Sequence, residues 1–330
     1  MLHVDPVLRP AASSYIYWRG AIAWAALAQS VCLSTLMATR DAMTPLVIIS
    51  LAAIVNIFGD AALCVWPFRL GCSGAAAATS FATLISCAFM VQALAKKEML
   101  PKLRRVPSRK ELFALFEFTG PLLAITITRL CSYIAMQRYA MKLGVQALAG
   151  YQLCINIFLF FGLFGEPFSQ LSQTQLPALI DRNDGPQVRA TFKSILTLGA
   201  ITSLVIGAVT YSVTFFGPGL ISSDIAVQQV ARNAAPALAL NVASGIIANA
   251  VDGAFLASKD FGFLTGIGAS LLLLQLSLLP SCTSISAIFG TFTIRLAVYT
   301  IIALGRIALG HGAMGRIFWR GHNGSNMKPI

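Results

Sequence analysis

The chain has 330 residues, of which 57% are hydrophobic and only 11% charged. A soluble domain carries roughly 25% charged residues, and at a mean hydropathy of +0.76 no globular core hides this much apolar surface. The net charge of +12 would suggest nucleic acid in a soluble protein, but the basic residues lie mostly between apolar runs, where they orient a chain in a bilayer. A soluble enzyme, a nucleic-acid binder and a secreted disulfide scaffold are therefore excluded, and an all-α polytopic membrane protein is expected.

A span needs ~20 apolar residues. After a polar lead at 1–14, punctuation by Gly, Pro and charge marks nine windows at 15–38, 45–66, 72–95, 112–137, 147–176, 192–216, 231–257, 261–283 and 284–309. Short turn signals divide several of them, among them Gly217-Pro218-Gly219 and Ser281-Cys282-Thr283-Ser284. The long polar connection is 96–111, with seven basic residues. The expected organisation is three helices at 1–95, a basic connection at 96–111, six helices at 112–310 and a polar tail at 311–330. Runs this long, without strict alternation, argue against a β-barrel. Lys and Arg divide 16 to 6 between alternate sides, which puts the long connection and the C-terminus on the cytoplasmic or stromal side.

Two span ends look alike. Leu36-Met37-Ala38-Thr39-Arg40-Asp41 closes the first window, and Phe255-Leu256-Ala257-Ser258-Lys259-Asp260 closes the seventh. If they are equivalent, windows one to three repeat windows seven to nine. Three opening helices of the first repeat are then expected upstream, and the chain alone is expected to transport poorly. Internal repeats of this kind are the architecture of secondary transporters.

Enzyme chemistry finds little support. Gly71-Cys72-Ser73-Gly74 has a GxSG form, but a serine nucleophile needs a base, and His3, His311 and His322 all lie outside the windows. Small residues through Ala75–Ala78 read instead as close helix packing. The seven cysteines are scattered without a CxxC and read as packed thiols, with no metal expected.

Buried polarity carries more. A charge at mid-bilayer costs ~2.5–3.5 kcal/mol even on the lenient insertion scale, so it faces a cavity or a partner. Asp60, Glu166, Asp252, Arg129 and Arg295 are such residues. Gln152, Asn156, Glu166, Gln170 and Gln173 share one helical face, with a kink expected at Gly165-Glu166-Pro167; Asn241, Ser244 and Asp252 share another. Two polar stripes with embedded carboxylates read as a solute pathway with a titratable coupling site.

These residues resemble the multidrug and toxic compound extrusion (MATE) transporters, twelve-helix proteins of two six-helix lobes. Leu70 through Thr79 looks like the family's LGxxGAAxAT opening of helix six, and Asn56 through Asp60 like the NxxxD element of helix five. Asp252-Gly253 with Asp260-Phe261 resembles helix ten and its exit, and Gly144–Gln152 with Gly165–Gln170 is similar to a plant, plastid-type branch. The resemblance covers about residues 11–310 and makes the nine windows family helices four to twelve, without helices one to three. It implies a secondary active antiporter that exchanges a small organic solute for H+ or Na+ and needs no other cofactor. Asp252, then Glu166, then Asp60 would couple the cation. Arg129 would hold an anionic solute, with Gln152, Asn156, Gln170 and Asn241 along its route. The plastid envelope is the expected membrane. A truncated, non-transporting membrane partner and a lipid flippase of the same superfamily are the alternatives.

Overall fold

The computed structural model describes residues 9–39, 41–65, 67–100 and 108–319. The polar lead up to residue 8, Arg40 of the first span end, 101–107 of the basic connection and 320–330 of the tail lie outside the described residues. Every regular element among the described residues is helical. In order these are α1 (Arg9–Ala21), α2 (Ala23–Ala38), α3 (Met43–Asp60), α4 (Cys72–Lys96), α5 (Arg109–Lys142), α6 (Val145–Gly162) and α7 (Glu166–Asp181). Then follow α8 (Gly185–Phe216), the single turn α9 (Pro218–Ile221), α10 (Ile225–Ala257), α11 (Phe261–Leu278), α12 (Ile285–Ala308) and α13 (Gly312–Trp319).

Eight helical segments are long and apolar enough to cross a membrane. A ninth results if α1 and α2, bent by 50° to each other, form one span. The protein is thus a multi-pass integral membrane protein, with spans in the windows marked by the sequence. Its helix starts follow local chemistry. Ser108 and Glu111 form a reciprocal capping box on α5. Asp184 accepts from the Gln187 amide at α8, Asp224 from Ala226 at α10 and Ser284 from Ala287 at α12. Each cap satisfies an amide that has no partner inside its helix.

The chain divides into two compact units, Met1–Val106 and Pro107–Ile330, and the division falls within the basic connection. In the first, α4 packs on α1, α2 and α3, around a core of Cys32, Leu36, Met90 and Leu94. A five-residue π-helical turn, Ala61–Val65, follows Asp60. Gly74 lets α4 approach that turn so closely that a Cβ there would lie 2.6 Å from the Leu63 carbonyl oxygen. This is the role the run of small residues suggests.

In the second unit α10 is the central helix, packed by α8, α12, α7 and α6, while α11 packs on α5 and α12. Tyr151 stacks on Phe289 at 5.6 Å between ring centroids, within a cluster that includes Leu238, Ile246 and Ile288. A second cluster gathers Leu176, Phe192, Val251, Phe255 and Ile307. Leu163–Gly165 forms a 3-10 turn between α6 and α7. Pro167, lacking an amide hydrogen, is tolerated there because it falls in the first turn of the new helix.

The two similar span ends fold alike. The Asp41 amide donates to the Leu36 carbonyl at 3.2 Å, and the Asp260 amide to the Phe255 carbonyl at 3.1 Å. Thr39 and Ser258 hydroxyls donate to the same two carbonyls. Each aspartate then pairs with the end of the helix two spans on: Asp41 with Lys97, and Asp260 Oδ2 with Arg306 at 3.0 Å. Lys97 and then Thr44 hold the Asp41 carboxyl well below the usual carboxylate range. One device thus closes a helix triplet in each unit.

The tail corrects the sequence reading. Residues 312–319 form α13, which buries Met314 and Ile317 against the second unit's core. Arg189 donates to the Phe318 carbonyl at 2.8 Å, and Trp319 Nε1 to the Ala308 carbonyl at 2.9 Å. Hydropathy windows pass over α13 because its apolar residues, on one face of two turns, are too few to read as a span.

Gly253 gives a stability test. A Cβ there would lie 2.5 Å from the Ser169 carbonyl oxygen on α7, whereas a Cβ at Gly266 meets nothing within 4 Å. Gly253→Val is expected to cost about 1–3 kcal/mol through overpacking. Gly266→Ala should be neutral or stabilising by up to ~1 kcal/mol. Thermal unfolding in detergent micelles reads both changes.

Candidate functional site

A cavity of about 250 Å³ opens in the second unit, walled by α5, α6, α7, α10, α11 and α12. Four charged side chains line it: Arg129 from α5, Glu166 from α7, Asp252 from α10 and Arg295 from α12. Much of the remaining wall is apolar or aromatic, with Tyr133, Phe158 and Phe292 in mutual ring contact at 5.5–6.2 Å.

Asp252 is the best-held group. It is buried, accepts from Arg129 Nη2 at 2.6 Å on Oδ2 and from the Tyr299 hydroxyl at 3.0 Å on Oδ1. Both carboxylate oxygens therefore have a donor. The wall beside it is made of small residues, Gly245 and Ala248 on the same helix and Gly268 on α11, which leave room next to the pair. About half of the Arg129 side chain stays uncovered. A charge pair of this kind is costly to break from one side only, since the remaining ion is left uncompensated in a medium of low dielectric.

Arg295 is held differently. It is buried, donates from Nη1 to Gln275 Oε1 at 3.2 Å and lies 5.8 Å from the centre of the Phe292 ring. Gln275 Oε1 also accepts from Ser132, and its Nε2 is sealed in without a partner. No carboxylate lies in ion-pair range of Arg295 among the described residues. Glu166, the first residue of α7 after the 3-10 turn, lines the cavity.

The structure thus brings four expected residues, Asp252, Glu166, Arg129 and Arg295, to one cavity and separates the others. Arg129, expected to hold an anionic solute, is paired with Asp252, because opposite charges attract strongly where the dielectric is low. Gln152, Asn156 and Gln170 lie exposed on the second unit, outside the cavity wall. Asn241 is fully buried and donates to the Phe289 carbonyl at 3.1 Å, so it joins α10 to α12 instead of lining a route. Asp60 belongs to the first unit, where its Oδ1 and that of Asn56 one helical turn earlier are both buried without a donor.

Three contributors escaped the sequence reading. Gln275, the one strongly polar residue in Leu271–Leu279, carried a readable signal. Tyr299 and Ser132 carried none, since either residue type is ordinary in a membrane helix.

The Arg129–Asp252 pair is measurable by a double-mutant cycle. Arg129→Met alone should destabilise the protein more than Arg129→Met with Asp252→Asn, giving a coupling on the order of 1–3 kcal/mol. Equilibrium unfolding in mixed micelles reads it; a coupling near zero would mean that the pair contributes nothing to the fold.

Comparison with known proteins places this geometry. No family model matches the sequence. Among curated proteins, the chain is similar to three from Arabidopsis thaliana. It is 28% identical to Protein DETOXIFICATION 47, chloroplastic, over 79% of this chain and 48% of that protein. It is 23% identical to Protein DETOXIFICATION 42, over 94% of this chain and 60% of that one, and 26% identical to Protein DETOXIFICATION 43, over 98% and 61%. The chain therefore spans about half to three-fifths of the length of these relatives. Among solved structures, it superposes on a MOP-superfamily transporter from Pyrococcus furiosus with a TM-score of 0.81 at 14% identity, over 96% of this chain and 72% of that one. A mutant form of the Vibrio cholerae MATE transporter VcmN gives 0.77 at 16% identity, over 95% and 73%. The fold is that of the MATE transporters.

Proposed function

We propose that this protein, with its MATE fold and its similarity to the plant DETOXIFICATION proteins, is a secondary active transporter. It exchanges a small organic solute against H+ or Na+ by alternating access between two helical lobes, with Asp252 as the coupling carboxylate. The supporting observation is the Asp252–Arg129 pair on the wall of a cavity at the level of the spans. An embedded carboxylate that faces a cavity and touches a cation has two stable arrangements. Ionised, it neutralises Arg129. Protonated, it lets the guanidinium go, and the charge presented to a solute changes by one. A coupled carrier needs a site whose affinity for solute depends on cation occupancy.

Tyr299 supports this assignment, because its hydroxyl holds the second carboxylate oxygen and fixes the orientation of Asp252. Glu166 and Asp60 are the second and third candidates for cation coupling. Asp60, with the unpartnered oxygens at Asn56 and itself, would act within the first unit. The plastid envelope is the proposed membrane, by analogy with a relative named as chloroplastic. A lipid flippase fits less well, since a cavity of about 250 Å³ suits a small solute better than a lipid. A membrane partner that does not itself transport is the rival reading, and one experiment separates the two.

In proteoliposomes with an imposed pH gradient, little exchange of labelled small solutes is expected from this chain alone, and exchange is expected when three further helices complete its first lobe. It should be lost with Asp252→Asn, while solute binding in detergent persists. Gradient-driven exchange that survives Asp252→Asn would remove Asp252 from coupling. A completed protein that binds solute and never exchanges it would favour the non-transporting partner.

A further inference from the structure

The charges on the cavity wall specify more than its existence. Arg129 and Asp252 cancel each other at 2.6 Å. The two charges that remain have opposite signs and, among the described residues, no ion-pair partner: the guanidinium of Arg295 and the carboxylate of Glu166. Arg295 is 7% exposed and opens only onto the cavity, and one neutral acceptor on Gln275 satisfies only one of its five N–H groups. A buried cation left in this state needs an anion supplied from the cavity.

We propose that the cavity binds a zwitterionic solute, with its carboxylate on Arg295 and its ammonium group on Glu166. This rests on the reading of the cavity as the solute site. A purely anionic solute would satisfy Arg295 and place a second negative charge before Glu166. A purely cationic one would do the reverse. A solute that carries both charges leaves the wall electrically neutral, which matters most where the dielectric is low. The rings of Tyr133, Phe158 and Phe292 offer a surface for an apolar or aromatic body and favour a neighbouring ammonium group by cation–π attraction. A volume of about 250 Å³ limits the solute to amino-acid size, just below the ~300–1,000 Å³ of drug-sized sites.

Exchange logic argues against a pure anion. In an antiporter, cation binding must weaken solute binding. Protonating Asp252 releases Arg129 and makes the wall more positive, which would strengthen the hold on a pure anion and so favour co-binding. On a zwitterion the added charge repels the ammonium and attracts the carboxylate, so that bias is absent. Gln275 and Ser132 act as positioning residues, because Gln275 Oε1, shared between Ser132 and Arg295, fixes one arm of the guanidinium.

Three probes with one aromatic body test the proposal by calorimetry on the purified chain in micelles: phenylalanine, phenethylamine and 3-phenylpropionate. Phenylalanine should bind about tenfold or more tighter than either singly charged analogue. Glu166→Gln should lower phenylalanine affinity to the level of 3-phenylpropionate without weakening the latter. Arg295→Gln should lower it to the level of phenethylamine, and Arg295→Lys should restore part of the difference. Glu166 is exposed, so its variant reads charge selectivity even where an Arg295 variant folds poorly. The proposal is overturned if 3-phenylpropionate or phenethylamine binds as tightly as phenylalanine. It is also overturned if Glu166→Gln leaves phenylalanine binding unchanged, or if no probe binds to a chain that unfolds cooperatively. Binding is read without a gradient. A completed protein that prefers the zwitterion and never exchanges it counts against transport alone; one that exchanges solutes without this preference counts against the present proposal alone.

Discussion

The contact between Arg129 and Asp252 sets the terms for the second unit. An ion set singly among apolar helices loses its hydration with little in return. Paired at 2.6 Å, the two become tolerable, and the pair ties α5 to α10 across the cavity wall. Tyr299 extends the constraint to α12 by donating to the other carboxylate oxygen. A second polar junction, Ser132–Gln275–Arg295, ties α5, α11 and α12 in the same layer. Between these two junctions, small residues on α10 and α11 keep side chains out, and the cavity is what remains.

The backbone contributes through its interruptions. The π-helical turn after Asp60 and the 3-10 turn before Glu166 each place an acidic residue beside a break in the regular ladder. A break frees backbone groups and re-aims the following turn, and such bulges recur at functional positions. At the helix ends the chemistry is stricter. Asp41–Lys97 and Asp260–Arg306 join the first and third helix of a triplet in each unit. In the second unit Gly312, at a φ of +74°, lets α13 begin directly against Asp260 and Arg306. The same turn and the same kind of ion pair to the helix two spans on therefore occur in both units.

Much of this was legible in advance, for a definite reason. In a bilayer every span must be long, apolar and helical, so hydropathy and turn residues located the helices, the interruption before Glu166 and the small-residue packing of α4. The cost of a buried charge likewise marked Asp60, Glu166, Asp252, Arg129 and Arg295 as residues that need a partner or a cavity. The polar stripe read from Gln152 to Gln173 was less informative. Its members share a helical face, but periodicity cannot say whether that face turns to a cavity or to the outside of the bundle, and Gln152, Asn156 and Gln170 lie exposed.

The sequence by itself determined the membrane class, the placement of the long helices and the residues whose charge demands explanation, because these depend on transfer energies and local backbone chemistry. The tertiary structure alone decided which charges meet. Asp252 and Arg129 are 123 residues apart in the chain, and Arg295 could equally have neutralised either acidic residue. Helix packing gave Arg129 to Asp252 and left Arg295 and Glu166 facing a common space, a choice made by distances between helices, which no local pattern records.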